Sequence, residues 1–273
     1  MKFAQIERLN GADTMNQLER LDYLINYLFK EQEAYQSFSM PQDLADKKQI
    51  LRAFMNIRPP MPISQEFITI QDKYLQTELA SQKITTIEQL KPLQKGIYLW
   101  QGDITKLQVD AIVNAGNRAL LGCFIPCHNC IDNAIHSFAG VQLRLACQCI
   151  MEQQNGLEPV GKAKITKGYN LPAKYVVHTV GPVVNGQLLQ EDCDMLKSCY
   201  LTCLKLAQQH HLKSIAFCCI STGEFHFPNE IAGQIAINTV IDYLRQTDSK
   251  MEVIFNVFKD KDFKIYQRLL QTD

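Results

Sequence analysis

The feature that most constrains this fold is a set of short, continuously apolar runs spaced among longer stretches of helical periodicity. Ser214-Ile215-Ala216-Phe217-Cys218-Cys219-Ile220 is the clearest of them. A strand apolar on both faces must be covered on both sides, so such runs require a sheet lying between two helical layers. The candidate strands are Gly96–Trp100, Ala111–Asn114, Lys164–Tyr169, Tyr175–Thr179, Ser214–Ile220 and Met251–Phe258. The candidate helices between them are Asn133–Gln154, Cys193–His210 and Asn229–Arg245. The class is therefore α/β in three layers, with no internal repeat.

Ahead of Gln94 the texture differs. From Asp13 to about Lys83 apolar residues recur at helical spacing, as in Leu21, Leu24, Ile25 and Leu28 or Ile50, Phe54 and Ile57. Pro41 and the run Arg58-Pro59-Pro60-Met61-Pro62 punctuate two or three helices, and Ser64 with Glu66 starts the last of them. The 273 residues thus divide into a helical N-terminal extension, residues 1–90, and an α/β domain, residues 91–273.

Lys plus Arg and Asp plus Glu number 28 each, so no net field draws the chain to nucleic acid or an anionic membrane. No window is long and apolar enough to span a bilayer, and Met1–Asp13 lacks the apolar run of a signal peptide. The expected compartment is the cytoplasm. The ten cysteines are then reduced, and Cys147, Cys149, Cys199, Cys203, Cys218 and Cys219 read as small hydrophobes.

Four loops carry chemistry. Gly102-Asp103-Ile104-Thr105 follows the first strand; its carboxylate either accepts from an adenine amino group or only shapes a turn. Asn117 ends the run Val109-Asp110-Ala111-Ile112-Val113-Asn114-Ala115-Gly116-Asn117 as a ligand contact or a turn residue. In the third loop, Cys123, His128 and Cys130 offer thiolate, imidazole and thiolate within eight residues, a set suited to zinc that leaves a coordination position open. Spacing alone leaves this balanced against an ordinary cysteine-rich loop, with Cys127 an available fourth ligand. Asp132 stands at the start of the following helix, as a carboxylate held near the metal or as a plain N-cap. His136, one turn on, reads as a packed or exposed helix residue rather than a ligand. The fourth loop, Ser221-Thr222-Gly223-Glu224-Phe225-His226-Phe227-Pro228, is a nest for a diphosphate, with Phe225 or Phe227 available to pack on a ribose or base.

Together these motifs resemble the macrodomain, the ADP-ribose-binding fold, and its zinc-dependent microbial branch of MacroD-like protein-ADP-ribose hydrolases. The resemblance spans about residues 101–245 and extends to Asn56-Ile57-Arg58-Pro59-Pro60 in the helical lead-in. It implies a three-layer α/β/α macrodomain with a mixed central sheet. By the same resemblance Asp103 and Ile104 bind adenine, Asn117 contacts the distal ribose and Asp132 is the acid/base or orienting carboxylate. Ser221, Thr222, Gly223, Glu224 and Phe225 wrap the diphosphate and distal ribose, while Cys123, His128 and Cys130 hold one Zn2+ per chain. Gly116, Arg118 and Cys127 depart from the family pattern.

The activity so implied is removal of mono-ADP-ribose from modified proteins at ester-linked Asp or Glu, reversing sirtuin-type ADP-ribosylation. The implied partner is a mono-ADP-ribosylated protein, with a lipoylated glycine-cleavage H-like carrier as the family's example. The alternative is a non-catalytic ADP-ribose reader with a structural zinc, which would need neither Asp132 nor an open metal position.

Overall fold

The computed structural model describes residues 14–32 and 39–271; the expectation at Asp13 lies outside them. Three helices come first: α1 (Gln17–Lys30), α2 (Leu44–Ile57) and α3 (Gln65–Ala80). Each begins on a side chain that accepts an otherwise unpaired first-turn N–H: Asn16 in a capping box with Glu19, Asp43, and Ser64, which bonds Phe67 N. Their apolar stripes, including Leu24, Leu28, Leu51, Phe54, Phe67 and Ile70, close into a small core that also takes in Val141 from the body.

The remaining elements are β1 (Thr85–Thr86), β2 (Pro92–Gln94), β3 (Ile97–Gln101), β4 (Leu107–Gln108), β5 (Ala111–Ala115), α4 (Ile131–Ala139), α5 (Val141–Gln154), β6 (Ala163–Lys167), β7 (Tyr175–Thr179), α6 (Gln190–Gln209), β8 (Ser214–Phe217), α7 (Asn229–Thr247), β9 (Glu252–Val257) and α8 (Asp260–Gln271). Seven strands form one mixed sheet in the order β2-β3-β9-β8-β5-β7-β6. The five inner strands run parallel, and β2 and β6 close the edges antiparallel. All of β8 and nearly all of β5 are buried, which requires cover on both faces of the sheet. Alternate helices supply it, and the main core runs through both sides.

The structure corrects several boundaries. The span Asn133–Gln154, read as one helix, is two helices, α4 and α5, broken at Gly140, whose φ is +96°. Apolar periodicity passes through the break because both halves pack on the same core. Partners from elsewhere take up the interrupted backbone: Gln71 Oε1 accepts from Val141 N at 3.0 Å, and Asn170 Nδ2 donates to Ala139 O at 3.0 Å. The strands expected over Ser214–Ile220 and Lys164–Tyr169 stop at Phe217 and Lys167, since the apolar residues beyond β8 belong to a loop and Gly168 turns the chain back. The short strands β1, β2 and β4 and the helix α8 had no counterpart in the sequence reading. Among the described residues, no helix is long and apolar enough to cross a membrane.

Gly140 holds backbone geometry that only glycine adopts without strain, and a Cβ there would lie 2.5 Å from Gln71 Nε2. Gly140→Ala is expected to lower stability by about 2 kcal/mol or more, read as a reduced urea midpoint; an unchanged midpoint would show that the α4–α5 break is not fixed by this residue.

Candidate active site and metal centre

The parallel strands β3, β9, β8 and β5 end on the same edge of the sheet, and all four predicted loops lie at their carboxyl ends. The chain leaves β5 toward β7 and β6 on one side while β8 lies on the other, the arrangement that opens a ligand crevice in α/β sheets. Three interstrand steps separate β3 from β5. At about 4.8 Å each this sets the Asp103 and Asn117 loops roughly 14 Å apart.

Asp103 caps the 3-10 turn Ile104–Lys106, and its Oδ1 accepts from Thr105 N at 3.0 Å and Thr105 Oγ1 at 2.6 Å. The carboxylate therefore shapes the turn, and Oδ2 lies 3.6 Å from Lys106 Nζ. Ile104 is buried. Asn117 is exposed and braces its own loop, with Oδ1 accepting from Ala119 N at 3.0 Å and Nδ2 donating to Gly122 O at 3.1 Å. At Gly116 a Cβ would stand 3.6 Å from Asp132 Oδ1, an ordinary contact, so an alanine would fit there. Arg118 Nε donates to Glu158 O at 3.2 Å.

The third loop brings its three candidate ligands together: the ligating atoms of Cys123, His128 and Cys130 lie within 4.8 Å of one another. Cys130 is the N-cap of α4, with Sγ accepting from Asn133 N at 3.4 Å. His128 Nδ1 is buried with no hydrogen-bond partner, while Nε2 lies 3.9 Å from Glu224 Oε1 of the fourth loop. Burial, and the Cys123 thiol beside it, push the Cys130 thiol up to about 12. A soft cation would displace that proton, and its affinity would rise with pH. An unpartnered imidazole nitrogen and two adjacent thiols fit zinc. Cys127 belongs to a different arrangement: its φ is +51°, and its Sγ donates to Gln49 O at 3.3 Å.

Asp132 is not a simple N-cap, because Cys130 takes that position; the carboxylate sits inside the first turn of α4, only 5% exposed. Burial pushes its pKa up to about 6, against the opposing pull of a hydrogen bond from Asn114 and of the Arg144 charge. Asn114 Nδ2 donates to Asp132 Oδ1 at 2.8 Å and lies 3.2 Å from His178 Nδ1. Since the amide is a donor, His178 carries its proton on Nε2 and gives it to Thr166 Oγ1 at 2.9 Å. His136 is packed, with Nε2 3.5 Å from Asp132 Oδ1, and burial drives its pKa far down, so the ring is neutral. His136, Cys147 and His178 form a second group of potential ligating atoms. Both nitrogens of His178 are already committed to Asn114 and Thr166, which sets this group apart from the Cys123 loop.

Ser221 is buried in a left-handed conformation, φ +64°, with its Oγ unpartnered. A Cβ on the facing Gly181 would come within 2.0 Å of that oxygen, so the close approach requires glycine. Thr222 Oγ1 donates to Cys219 O at 3.0 Å, Gly223 and Glu224 are exposed, and Phe225 is half-buried. Phe227 is part of the main core, which removes it as a ring for ribose or base. Cys149, expected inside, is exposed.

The sequence reading passed over Asn114, Asn133, Arg144 and Gly181. The one available signal was a polar Asn114 ending an apolar strand.

A model of the Macro domain matches residues 113–236. The chain is 50% identical to a protein named protein-ADP-ribose hydrolase from Treponema medium, over 94% of this chain and all of that one. A protein of the same name from Staphylococcus aureus (strain MSSA476) is 49% identical, over 93% and 96% of the two chains. The crystal structure of a Trypanosoma brucei macrodomain in complex with ADP-ribose superposes with a TM-score of 0.63 at 33% identity, covering 79% of this chain and 94% of that one.

A buried acid near pH 6 has a stability consequence of definite sign. In metal-free protein the folded Asp132 holds its proton more tightly than the unfolded chain, where the value is 3.8. The stability is present below about pH 4 and is lost as pH rises through about 6, by roughly 3 kcal/mol in all. Urea unfolding between pH 4 and 7.5 should show the wild type weakening relative to Asp132→Asn. Parallel profiles would mean the carboxylate is solvated.

Proposed function

The chain belongs to the macrodomain family and is a protein-ADP-ribose hydrolase, and from that premise we propose that it releases mono-ADP-ribose with one zinc ion held by Cys123, His128 and Cys130. The observation that carries this reading is the three-ligand set beside the buried carboxyl of Asp132, with Cys127 turned away toward Gln49. A structural zinc site would want a fourth protein ligand, and three favour an open position. That weighs against a non-catalytic reader.

The roles of the chain's own residues follow. Asp103 Oδ2 and the backbone at Ile104 receive the adenine end. Ser221, Thr222, Gly223, Glu224 and Phe225, together with the N-terminus of α7, enclose the diphosphate and distal ribose. Asn117 orients that ribose. When bound, zinc supplies Lewis-acid polarisation in the crevice. Asp132, ionised above about pH 6, accepts the proton of the attacking water and returns one to the departing oxygen. Asn114 keeps its carboxylate turned to the site.

The proposed linkage is an ester to Asp or Glu laid down by a sirtuin-type transferase. The lipoylated glycine-cleavage H-like carrier comes from the family resemblance as the modified partner. All ten cysteines are free, which suits a reducing cytoplasm.

Asp132→Ala is expected to reduce hydrolysis at least a hundredfold and to leave ADP-ribose affinity within about tenfold, by calorimetry; undiminished turnover would remove Asp132 from the chemistry. Chelation should stop release of ADP-ribose and added zinc should restore it, whereas full activity in protein shown to be metal-free would refute the zinc role. Release from Glu-linked, Ser-linked and Arg-linked model substrates tests the linkage, and equal rates on all three would overturn the ester preference.

A further inference from the structure

We propose that the helical segment ahead of the sheet is a working part of the metal centre: α2, through Arg52 and Asn56, acts together with Asn133 of α4 in the sheet domain to fix the loop that carries the three ligands. This inference rests on the zinc reading above and adds to it Arg52 and Asn56, which lie 76 and 71 positions from the loop residues they bond. None of the three bonds to substrate-facing atoms, so they are positioning residues.

The loop from Gly122 to Cys130 contains no regular structure and cannot hold three ligating atoms together by backbone pairing of its own. Its polar groups are met from outside. Arg52 Nη2 donates to His128 O at 3.0 Å, which anchors the backbone of a ligand. The same guanidinium grips Asn133 Oδ1 from two nitrogens, at 2.8 and 3.2 Å. Asn133 in turn donates its Nδ2 to Ile125 O at 2.9 Å and its backbone N–H to Cys130 Sγ.

Asn56 works on the middle of the loop. Cys127 has φ +51°, the left-handed region that a non-glycine residue adopts only at a cost. It persists where neighbours over-determine it. Its N–H donates to Asn56 Oδ1 at 2.9 Å, and its Sγ bonds Gln49 O on the same helix. Asn56 is only 1% exposed, and its Nδ2 donates to Ser137 Oγ at 2.8 Å, so its acceptor is aimed without freedom. The residue immediately before His128 is thereby fixed in a turn that the loop would not keep alone. This gives Cys127 a role outside the ligand set: it is the point by which α2 holds the loop.

Support of this kind typically alters metal affinity 10- to 100-fold. The test is zinc affinity, by competition with a chromophoric chelator at pH 7.5, for full-length wild type, Arg52→Met, Asn56→Ala, Asn56→Asp and Gln76→Ala. Arg52→Met and Asn56→Ala should bind zinc 10- to 100-fold more weakly, while the metal-free forms bind ADP-ribose within about threefold of wild type. Asn56→Asp keeps the acceptor for Cys127 N–H and should recover most of the loss. Gln76→Ala breaks a different contact of the segment, its bond to Asn170 O at 3.2 Å, and should leave zinc affinity alone. Wild-type zinc affinity in both Arg52→Met and Asn56→Ala would overturn the proposal, as would an equal loss in Gln76→Ala, which would signal docking in general. Arg52 is only part-buried, so its variant decides the matter if Asn56→Ala does not fold. Wild-type protein that takes up no zinc would overturn this proposal and the metal reading together, and is thereby distinguished from failure of the positioning residues alone.

Discussion

Arg144 is a guanidinium 5% exposed at the meeting of three chain segments, and the arrangement around the site depends on it. Its Nε donates to Leu121 O at 2.6 Å, at the foot of the loop with Cys123, His128 and Cys130, and its Nη1 donates to Met55 O at 3.0 Å and to Arg58 O. Met55 and Arg58 are at the C-terminal end of α2, where carbonyls lack helical partners and carry the negative end of the helix dipole. One buried cation thus satisfies the end of one helix and the base of a loop. Phe124 covers its face at 4.3 Å. Burial pulls its pKa down to about 10, which leaves it charged at neutral pH. Without that charge, buried acceptors would lose their donors, the costly way to break such a contact.

Because Arg144 seats α2, it also sets what α2 can reach. Arg58 makes the same kind of knot on the far side: its guanidinium is paired with Glu31 at 2.6 and 3.0 Å and bonded to carbonyls of the proline-rich turn, including Met61 O at 3.0 Å. Between these two arginines the helix has little freedom to slide. Arg52 and Asn56 then meet the loop at fixed height. The acid site shows the complementary economy. Asp132, His136, Cys147 and His178 are ionisable, yet burial holds the two rings and the thiol neutral near pH 7. Asp132 alone, supported by Asn114 and the distant charge of Arg144, keeps a pKa that allows ionisation in the physiological range. A carboxylate free to exchange protons in a dry crevice is destabilising to the fold and useful to chemistry.

Where sequence reasoning succeeded, the signal was local. Ser64 caps α3 as its spacing predicts, and the apolar runs are strands in a sheet covered on both faces. Each loop said to carry chemistry ends a strand on one edge. Where it failed, the decisive contact came from far along the chain. Nothing in Asn133–Gln154 shows that Gln71 and Asn170 receive the backbone broken at Gly140. Asn133 and Arg144 look like ordinary helix residues, because their partners are some 80 to 90 positions away. Phe225 and Phe227 differ by two positions and are alike as sequence, but one is half-buried at the loop and the other is core.

By itself the sequence determined the alternation of strands and helices, the helical lead-in, the four polar loops and the cysteine and histidine side chains within one of them, since periodicity, caps and side-chain chemistry act over a few residues. Tertiary structure decided that Cys123, His128 and Cys130 converge while Cys127 turns to Gln49, that Asp132 is buried beside Asn114, and that α2 braces the loop. Those outcomes depend on which distant donors and acceptors meet in a water-excluded space. No local pattern encodes that meeting.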